Sequence, residues 1–364
     1  MAARATRSAS GSAAASGSSA TASGSRPVTD ASFSERHEYF DAERTLSKLL
    51  DEMRQGRLPA QLLPLVNDFH TAVSADPSRR CHLLALSHDE LGVIFDGLAD
   101  PLQPVVAVAF SSTCKGLRTP LVAALEVLKE RHERAVALCC KVGTSCAEVR
   151  DAGDLPLGYE RLTADDMTTL GMILCTNGLP RLRRLSIYGN GFGDAGMQAL
   201  CEGHFIAASL IELDIEDNDI GPAGAEALAA ALHRGAMPKL ETLWLSHNPI
   251  SNQGVAVLAA PLRKLPALWK LHLSDCIMDD EGVTSLMANL GKDDFKKLAK
   301  LTLSRNKITD VGCASIMREI DAGGLPAVCR VYHLDLEENA TSEEAITAVE
   351  DALLRRGAES DDDE

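Results

Sequence analysis

The sequence predicts an α/β solenoid, with a curved parallel sheet on its inner side and helices on its outer side, preceded by a small all-α region and a disordered N-terminal tail. Three observations support this prediction. A pattern of leucines followed by an asparagine and a glycine recurs six times, with steps of 28, 30, 28, 30 and 33 residues; Cys276 replaces the asparagine in one copy and Ala345 the glycine in another. Apolar and polar residues alternate at the centre of each copy, as in a short half-buried strand. After the glycine, the apolar spacing becomes that of a helix.

The N-terminal tail is predicted over residues 1–33. Its first 27 residues are almost wholly Ala, Ser, Gly, Thr and Arg, so they have nothing to bury, and we expect disorder. An organelle transit peptide is the alternative, because such leaders are also rich in Arg and Ser and free of acids. A secretion signal is not indicated, since no run of large apolar residues follows the first arginines. We therefore expect a cytoplasmic or nuclear protein, with organelle import left open.

Residues 34–150 have helical periodicity throughout and no strand pattern of any length. The stretch 34–56 is a charged amphipathic helix, in which Phe40 and Leu46 share one side. The prolines that follow mark helix boundaries or first-turn positions. This half of the chain is predicted to be a small helical region.

The repeats occupy residues 151–354. The first clear copy contains Leu182, Leu185, Ile187, Asn190 and Gly196, and the second begins at 210 with the same residue types at the same spacing. Further copies start at 240, 268, 298 and 331, and a degenerate copy with Leu155 and Leu157 precedes them all. A helix from Ala345 to Leu354 is expected to close the array, ahead of an acidic tail over residues 355–364.

The pattern L-x-x-L-x-L-x-x-N/C at this period resembles the leucine-rich repeat of the ribonuclease-inhibitor type. Each Asn in this pattern can bond turn backbone groups inside the solenoid, where an unpaired group costs about 1–3 kcal/mol. Cys276 is a weaker partner at that position. The resemblance implies a stack of repeats that contact only their neighbours, and a concave strand face that binds a protein partner.

The residues of that concave face can be identified, because side chains between the core leucines point away from the core. Arg305 and His247 follow the strands, in the turns. The predicted partner-binding residues are Arg184, Tyr188, Glu212, Asp214, Glu216, Thr242, Trp244, Ser246, His247, Lys270, His272, Lys300, Arg305, His333, Asp335 and Glu337.

Trp244 stands out among these positions, because it should point away from the core beside His247 and His272. A partly exposed tryptophan is a favoured anchor in protein interfaces. Alternatively, Trp244 only covers its neighbours across the ladder. The sequence leaves these two interpretations balanced.

Charge and cysteine usage narrow the partner classes. Residues 1–150 hold 17 Lys and Arg against 17 Asp and Glu, so the whole net charge of -16 falls on residues 151–364. Such a surface repels phosphate backbones, and we expect no nucleic-acid partner. No apolar run is long enough for a membrane span.

None of the ten cysteines forms a C-x-x-C pair, and none pairs with a histidine at ligand spacing, so we expect free thiols, no metal and no cofactor.

Residues 83–118 resemble an F-box, in the order of residue types from Leu86 to Cys114-Lys115-x-Leu117-Arg118. Ser87 and Leu117 replace the Pro and Trp that are usual there. The resemblance implies docking on the adaptor Skp1 and substrate reception for an SCF ubiquitin ligase. The alternative is a helical cap for the first repeat, in a non-enzymatic scaffold. The predicted adaptor-binding residues are Leu86, Leu91, Ile94, Phe95, Leu98 and Leu117. The helical spacing of Leu91, Ile94, Phe95 and Leu98 predicts that these four are core in either case.

Catalysis has little support in the sequence, which lacks the common nucleophile, phosphate-loop and metalloprotease motifs. We therefore expect a protein that is not an enzyme. A leucine-rich repeat protein with an acidic tail also resembles the activators of the GTPase Ran, which use an arginine at the solenoid rim. Here the candidate arginines, Arg181, Arg183, Arg184 and Arg305, match no transferable motif.

Overall fold

The computed structural model describes residues 88–112, 115–176, 179–202, 207–288, 290, 294–325 and 334–361. The predicted tail, Leu86 and His333 lie outside these residues, and the side chain of Leu117 is likewise not described. Among the described residues, no helix is long and apolar enough to cross a membrane.

Four helices come first among the described residues. They are α1 (His88–Leu98), α2 (Val105–Ser112), α3 (Lys115–Lys141) and α4 (Cys146–Asp151). Phe95 of α1 and Phe110 of α2 pack with Leu121 and Leu128 of α3 in one apolar cluster. Helix α4 begins with a capping box, in which the Ser145 hydroxyl accepts from the backbone N–H of Glu148 and the Glu148 carboxylate accepts in return.

Helix α3 also belongs to the second half of the protein. Its C-terminal residues Ala135, Leu138 and Cys139 are buried in the same core as the leucines of the repeats, together with Val149 of α4. The open apolar edge that the first repeat would otherwise expose is therefore covered by helix.

Seven strand and helix units follow. The strands are β1 (Asp154–Pro156), β2 (Arg184–Ser186), β3 (Glu212–Asp214), β4 (Thr242–Trp244), β5 (Lys270–His272), β6 (Lys300–Thr302) and β7 (Leu334–Asp335). The helices after them are α5 (Ala164–Cys175), α6 (Gly193–Cys201), α7 (Pro222–His233), α8 (Ser251–Arg263), α9 (Asp280–Met287), α10 (Asp310–Asp321) and α11 (Glu343–Asp361).

The strands form one parallel sheet in chain order, so each strand pairs with the strand of the next repeat. The register aligns equivalent positions: Leu213 pairs with Leu243, and Leu243 pairs with Leu271. These leucines are fully buried against the helices, as their alternation predicts. The predicted solenoid of parallel strands and helices, six clear copies and one degenerate, is confirmed.

Asparagines tie successive turns together inside the solenoid. The Asn248 amide donates to the carbonyls of Ile215 and Leu245, and its oxygen accepts from the backbone N–H groups of Asn218 and Ile220. Asn218 and Asn306 make equivalent bonds. At the Cys276 position, the thiol makes only 3.5 Å contacts to the carbonyls of Leu245 and Ser274.

Aspartates near the starts of α6 and α9 connect their repeats to the ones that follow. The Asp194 carboxylate accepts from the backbone N–H groups of Gly221 and Gly224, at the start of α7. Asp280 does the same for Thr309 and Gly312, at the start of α10. These carboxylates satisfy N–H groups that have no partner within their own helix, and they oppose the positive end of the helix dipole.

Candidate protein-binding face

The strand face is formed by side chains of the sheet that point away from the leucine core. Paired positions place these side chains in two rows across the strands. One row runs Arg184, Glu212, Thr242, Lys270 and Lys300, and the other runs Ser186, Asp214, Trp244, His272, Thr302 and Asp335. Neighbouring members of a row are separated by the strand spacing, about 4.8 Å.

Trp244 lies at the centre of the strand face. Its ring stacks on His272, with the ring centroids 3.7 Å apart and the planes 6° from parallel. Its indole Nε1 donates to Glu212 Oε1 at 3.1 Å. These two contacts fix the orientation of the ring while part of it stays exposed to solvent. Trp244 thus covers a neighbour and also offers surface, so the two interpretations left open by the sequence are not exclusive.

His272 is buried beneath Trp244, with only 5% of its surface exposed. Its Nδ1 is hydrogen-bonded to Thr302 Oγ1 at 3.1 Å, whereas its buried Nε2 has no hydrogen-bond partner among the described residues. Burial lowers the pKa of His272 to about 4, and the nearby charges of Lys300 and Lys270 act in the same direction. The imidazole is therefore neutral at pH 7.

The expected exposure of three predicted binding residues is corrected by the structure. Thr242, Ser246 and His272 lie on the strand face, but their side chains are buried. Thr242 lies between the longer side chains of Glu212 and Lys270 on the adjacent strands, and His272 is covered by Trp244. These residues support the surface without forming its outer layer.

An acidic band lies on the N-terminal side of Trp244, formed by Glu212, Asp214, Glu216 and Asp217. Arg184 pairs with Glu212 at 3.1 Å. Asp214 accepts from the Ser186 hydroxyl and from the backbone N–H of Glu216. Burial raises the pKa of Glu216, and the neighbouring charges of Asp214 and Asp217 raise it further, although the Ser246 hydroxyl opposes this. The band holds more negative charge than its nearest cation balances.

A lysine pair, Lys270 and Lys300, lies on the other side of Trp244. The two residues are paired directly across β5 and β6. Among the described residues, neither ammonium group has a carboxylate within 4 Å. Lys270 instead lies over the ring of Trp269, 4.5 Å from its centroid.

The turns after the strands form a rim beside the strand face. His247, Asp275, Arg305 and Glu338 all have left-handed backbone conformations there, near φ +55°. His247 Nδ1 is 3.1 Å from Asp275 Oδ2, and the Arg305 guanidinium donates twice to Glu338 Oε1. Each of these rim residues is thus already paired with a residue of a neighbouring repeat.

A tyrosine pair at the first two repeats was only half predicted. Tyr159 and Tyr188 meet edge to face, with centroids 4.8 Å apart. Each ring lies over a glycine of the other repeat, so that a Cβ added at Gly158 or Gly189 would overlap it. Sequence reasoning identified Tyr188 and missed Tyr159, because the first repeat is degenerate. The Gly-Tyr and Tyr-Gly pairs at equivalent positions are the signal that could have revealed it.

At the C-terminal end of the strand face, the predicted binding residue Asp335 is partly buried and Glu337 is exposed.

Four of the predicted adaptor-binding residues are buried, as their helical spacing predicts. Leu91, Ile94, Phe95 and Leu98 are the inward side of α1, and Phe95 is only 1% exposed. They pack against α2 and α3, so their helical spacing is that of residues in the core of the helical region.

The described residues contain no group of three or more His, Cys, Asp or Glu side chains placed to hold a metal ion. Burial raises the pKa of Cys201, and likewise that of Cys276, to about 12, so these thiols stay protonated.

Comparison with known proteins agrees with this architecture. The family described as "Leucine Rich repeat" matches residues 179–201, 207–229, 236–259 and 296–317. The chain contains leucine-rich repeats. The matched segments each run from the approach to one strand to the helix after it, which is one unit of the solenoid.

Several curated proteins are similar to this one. Mouse ribonuclease inhibitor is 31% identical over 193 residues, which cover 52% of this chain and 41% of the relative. Bovine tonsoku-like protein is 34% identical over 149 residues, 40% of this chain and 10% of the relative. Human leucine-rich repeat-containing protein 73 is 32% identical over 127 residues, 34% of this chain and 40% of the relative. In each case the alignment spans less than half of the relative's length.

Proposed function

We propose that this chain binds a protein partner through its strand face, with Trp244 at the centre of the contact. One observation carries the proposal: a large aromatic side chain is held rigidly on the strand face by His272 and Glu212, yet keeps exposed surface. A side chain that is already ordered loses little conformational freedom when a partner covers it. Tryptophan is also the residue type most enriched among interface hot spots.

The relatives support a binding role. The name of the mouse relative denotes a protein that inhibits a ribonuclease, and an inhibitor of this kind acts by binding another protein. The strand face of this chain has a mixture of aromatic and charged side chains suited to such a contact.

The experiment compares Trp244→Ala with Trp269→Ala as a matched control. Trp269 is 48% exposed but lies just before β5, outside the two rows of the strand face. Partners captured by the wild type are identified, and their affinities for both variants are measured. We expect Trp244→Ala to weaken binding by more than about 1 kcal/mol, with Trp269→Ala close to the wild type. Equal affinities for both variants, in chains that melt like the wild type, would contradict the proposal.

Substrate reception for a ubiquitin ligase stays a more specific prediction, and the contact it requires changes. With Ile94 and Phe95 buried, an adaptor such as Skp1 would have to bind other side chains of this region. Val93 and Val105 are 62% and 66% exposed, and their exposure is the observation that keeps this candidate. Co-purification with Skp1, with Val93→Asp and Val105→Asp as the disrupting changes, tests it without damaging the core. Failure of the folded wild type to bind Skp1 would leave α1 to α4 as a cap of the solenoid.

We favour a role without catalysis. A GTPase activator would need an arginine able to reach a bound nucleotide, whereas Arg184 pairs with Glu212 and Arg305 pairs with Glu338. A GTPase assay with Ran, comparing the wild type with Arg305→Ala, tests this reading, and we expect no acceleration by either chain.

A further inference from the structure

The strand face separates opposite charges on the two sides of one aromatic ring. Glu212, Asp214 and Glu216 extend from β3 towards the adjoining turn, Trp244 ends β4, and the lysine pair spans β5 and β6. From β3 to the midpoint of β5 and β6 is two and a half strand spacings, or about 12 Å. A partner that covers Trp244 therefore meets negative charge on one side and positive charge on the other.

Neither side is neutralised within the described part of the chain. The acidic band has four carboxylates, and Arg184 is the one cation whose ion pair with it is observed. The lysine pair has no carboxylate within 4 Å among the described residues, and the two like charges are neighbours across the sheet. Like charges placed directly opposite on adjacent strands destabilise a sheet. An acidic group of a partner would relieve that repulsion, and a basic group would do the same for the acidic band.

The strand face offers side chains but few free backbone groups, because the strands use their N–H and C=O groups on one another. An extended peptide lying across Trp244 would leave part of its own backbone unsatisfied. A helix satisfies its backbone internally, and residues seven apart on a helix lie on nearly the same face, about 10.5 Å from one another. That separation is close to the distance between the acidic band and the lysine pair.

We propose that the strand face binds an amphipathic helix of its partner that carries acidic residues over Lys270 and Lys300, an apolar residue over Trp244 and basic residues over the acidic band. This inference rests on the proposed function and specifies the partner. In such a helix the acidic and basic residues are seven positions apart, with the apolar residue between them.

A defined probe makes the proposal testable before any partner is known. The probe is a capped, Ala-rich helical peptide without aromatic residues, with Glu at positions 5 and 6, Leu at 9 and Arg at 12 and 13. The chain contains two tryptophans, so Trp269→Phe leaves Trp244 as its single fluorescent reporter. Binding is followed by Trp244 fluorescence at low ionic strength, where exposed charges are least screened.

Charge reversal of the lysine pair is the decisive comparison. Lys270→Glu with Lys300→Glu should weaken the probe by at least about fivefold, since each favourable exposed pair becomes a repulsion. The matched control, Lys129→Glu with Lys239→Glu, changes the net charge equally at exposed positions outside the strand face. The control should stay within about twofold of the parent. The Lys270→Glu, Lys300→Glu variant should instead bind a peptide in which Arg replaces both glutamates more tightly than it binds the original probe.

Three results would overturn the inference. One is an equal effect of both double variants on the probe. Another is undiminished binding of a probe with Pro at position 8, which cannot remain helical. The third is no change in Trp244 fluorescence at millimolar probe. In each case the strand-face function itself is decided separately, by the Trp244→Ala and Trp269→Ala comparison with captured partners.

Discussion

The helical region and the repeats bury similar apolar side chains in different arrangements. In α1, α2 and the first half of α3, the buried residues form one compact cluster around Phe95. In the repeats, equivalent leucines stack in rows from one strand to the next. The residues of the cluster pack around a single centre. In a row there is no centre, and the packing of each leucine depends on the leucines of the neighbouring repeats. We therefore expect damage to stay local in the first and to spread in the second.

The largest expected effect comes from the centre of the cluster. Phe95→Ala should cost about 3–5 kcal/mol, because it empties a fully buried position. Hydrogen exchange should show the loss of protection in α1 and α2, with the strands β3 to β6 unchanged. Val93→Ala, at an exposed position of the same helix, is the control. Equal loss of protection in the strands would show that the two regions unfold as one.

Leu245→Ala removes a member of a leucine row and should cost about 2–5 kcal/mol. Leu245 is fully buried and follows β4 at the middle of the solenoid. Here we expect hydrogen exchange to accelerate in the repeats on both sides of β4, while α1 keeps its protection. Melting like that of the wild type would mean that the strand register is different.

His272 should make the solenoid sensitive to acid. Folding lowers its pKa from 6.5 to about 4, so the unfolded chain takes up the proton first as the pH falls. The stability that comes from keeping this group neutral is complete above about pH 6.5 and is lost between there and about pH 4, by up to about 3 kcal/mol. His272→Phe, which keeps an aromatic ring beside Trp244, should flatten this part of the stability profile in denaturant titrations. Parallel profiles for the two chains would contradict the prediction.

The smallest effects test the asparagines that tie successive turns together. Asn248→Ala should cost about 1–3 kcal/mol, because it leaves buried backbone groups of two adjacent repeats unpaired. Cys276→Asn should instead stabilise the solenoid by about 1 kcal/mol, since it supplies the amide that the other repeats already have. Thermal melting measures both changes. A destabilising Cys276→Asn would show that the fifth repeat has adapted its backbone to the thiol.

Periodicity explains how much of this structure the sequence could predict. Six copies of one pattern fix the positions of Leu213, Leu243 and Leu271 relative to one another, and so fix the register of the sheet. In the helical region, no second copy of the pattern separates inward from outward residues. Helical spacing still predicts that Ile94 and Phe95 are core, as they are, but it does not indicate which exposed residues would meet an adaptor.

The sequence predicts where the residues of the candidate site lie on the sheet, but not how deeply each side chain is buried. Alternation places Trp244 and His272 on the strand face correctly. It cannot show that one ring stacks on the other, because burial there depends on the rotamer of a residue in the adjacent repeat. The bond from Trp244 to Glu212 spans 32 residues of sequence and depends on the same choice.

The aspartates at the helix starts give the solenoid a chemical direction. Asp194 and Asp280 each complete the first turn of a helix that comes later in the chain. The first turns of these helices are thus completed by the preceding repeat, whereas an asparagine oxygen of the following repeat, such as that of Asn248, completes backbone N–H groups of the repeat before it. The Asp310 carboxylate accepts in the same way from the backbone N–H of Ser342, just before α11. Removing the repeat that carries Asp194 or Asp280 would therefore leave the N–H groups of Gly221 or Thr309 without this carboxylate, whereas removing the repeats after α7 or α10 would not.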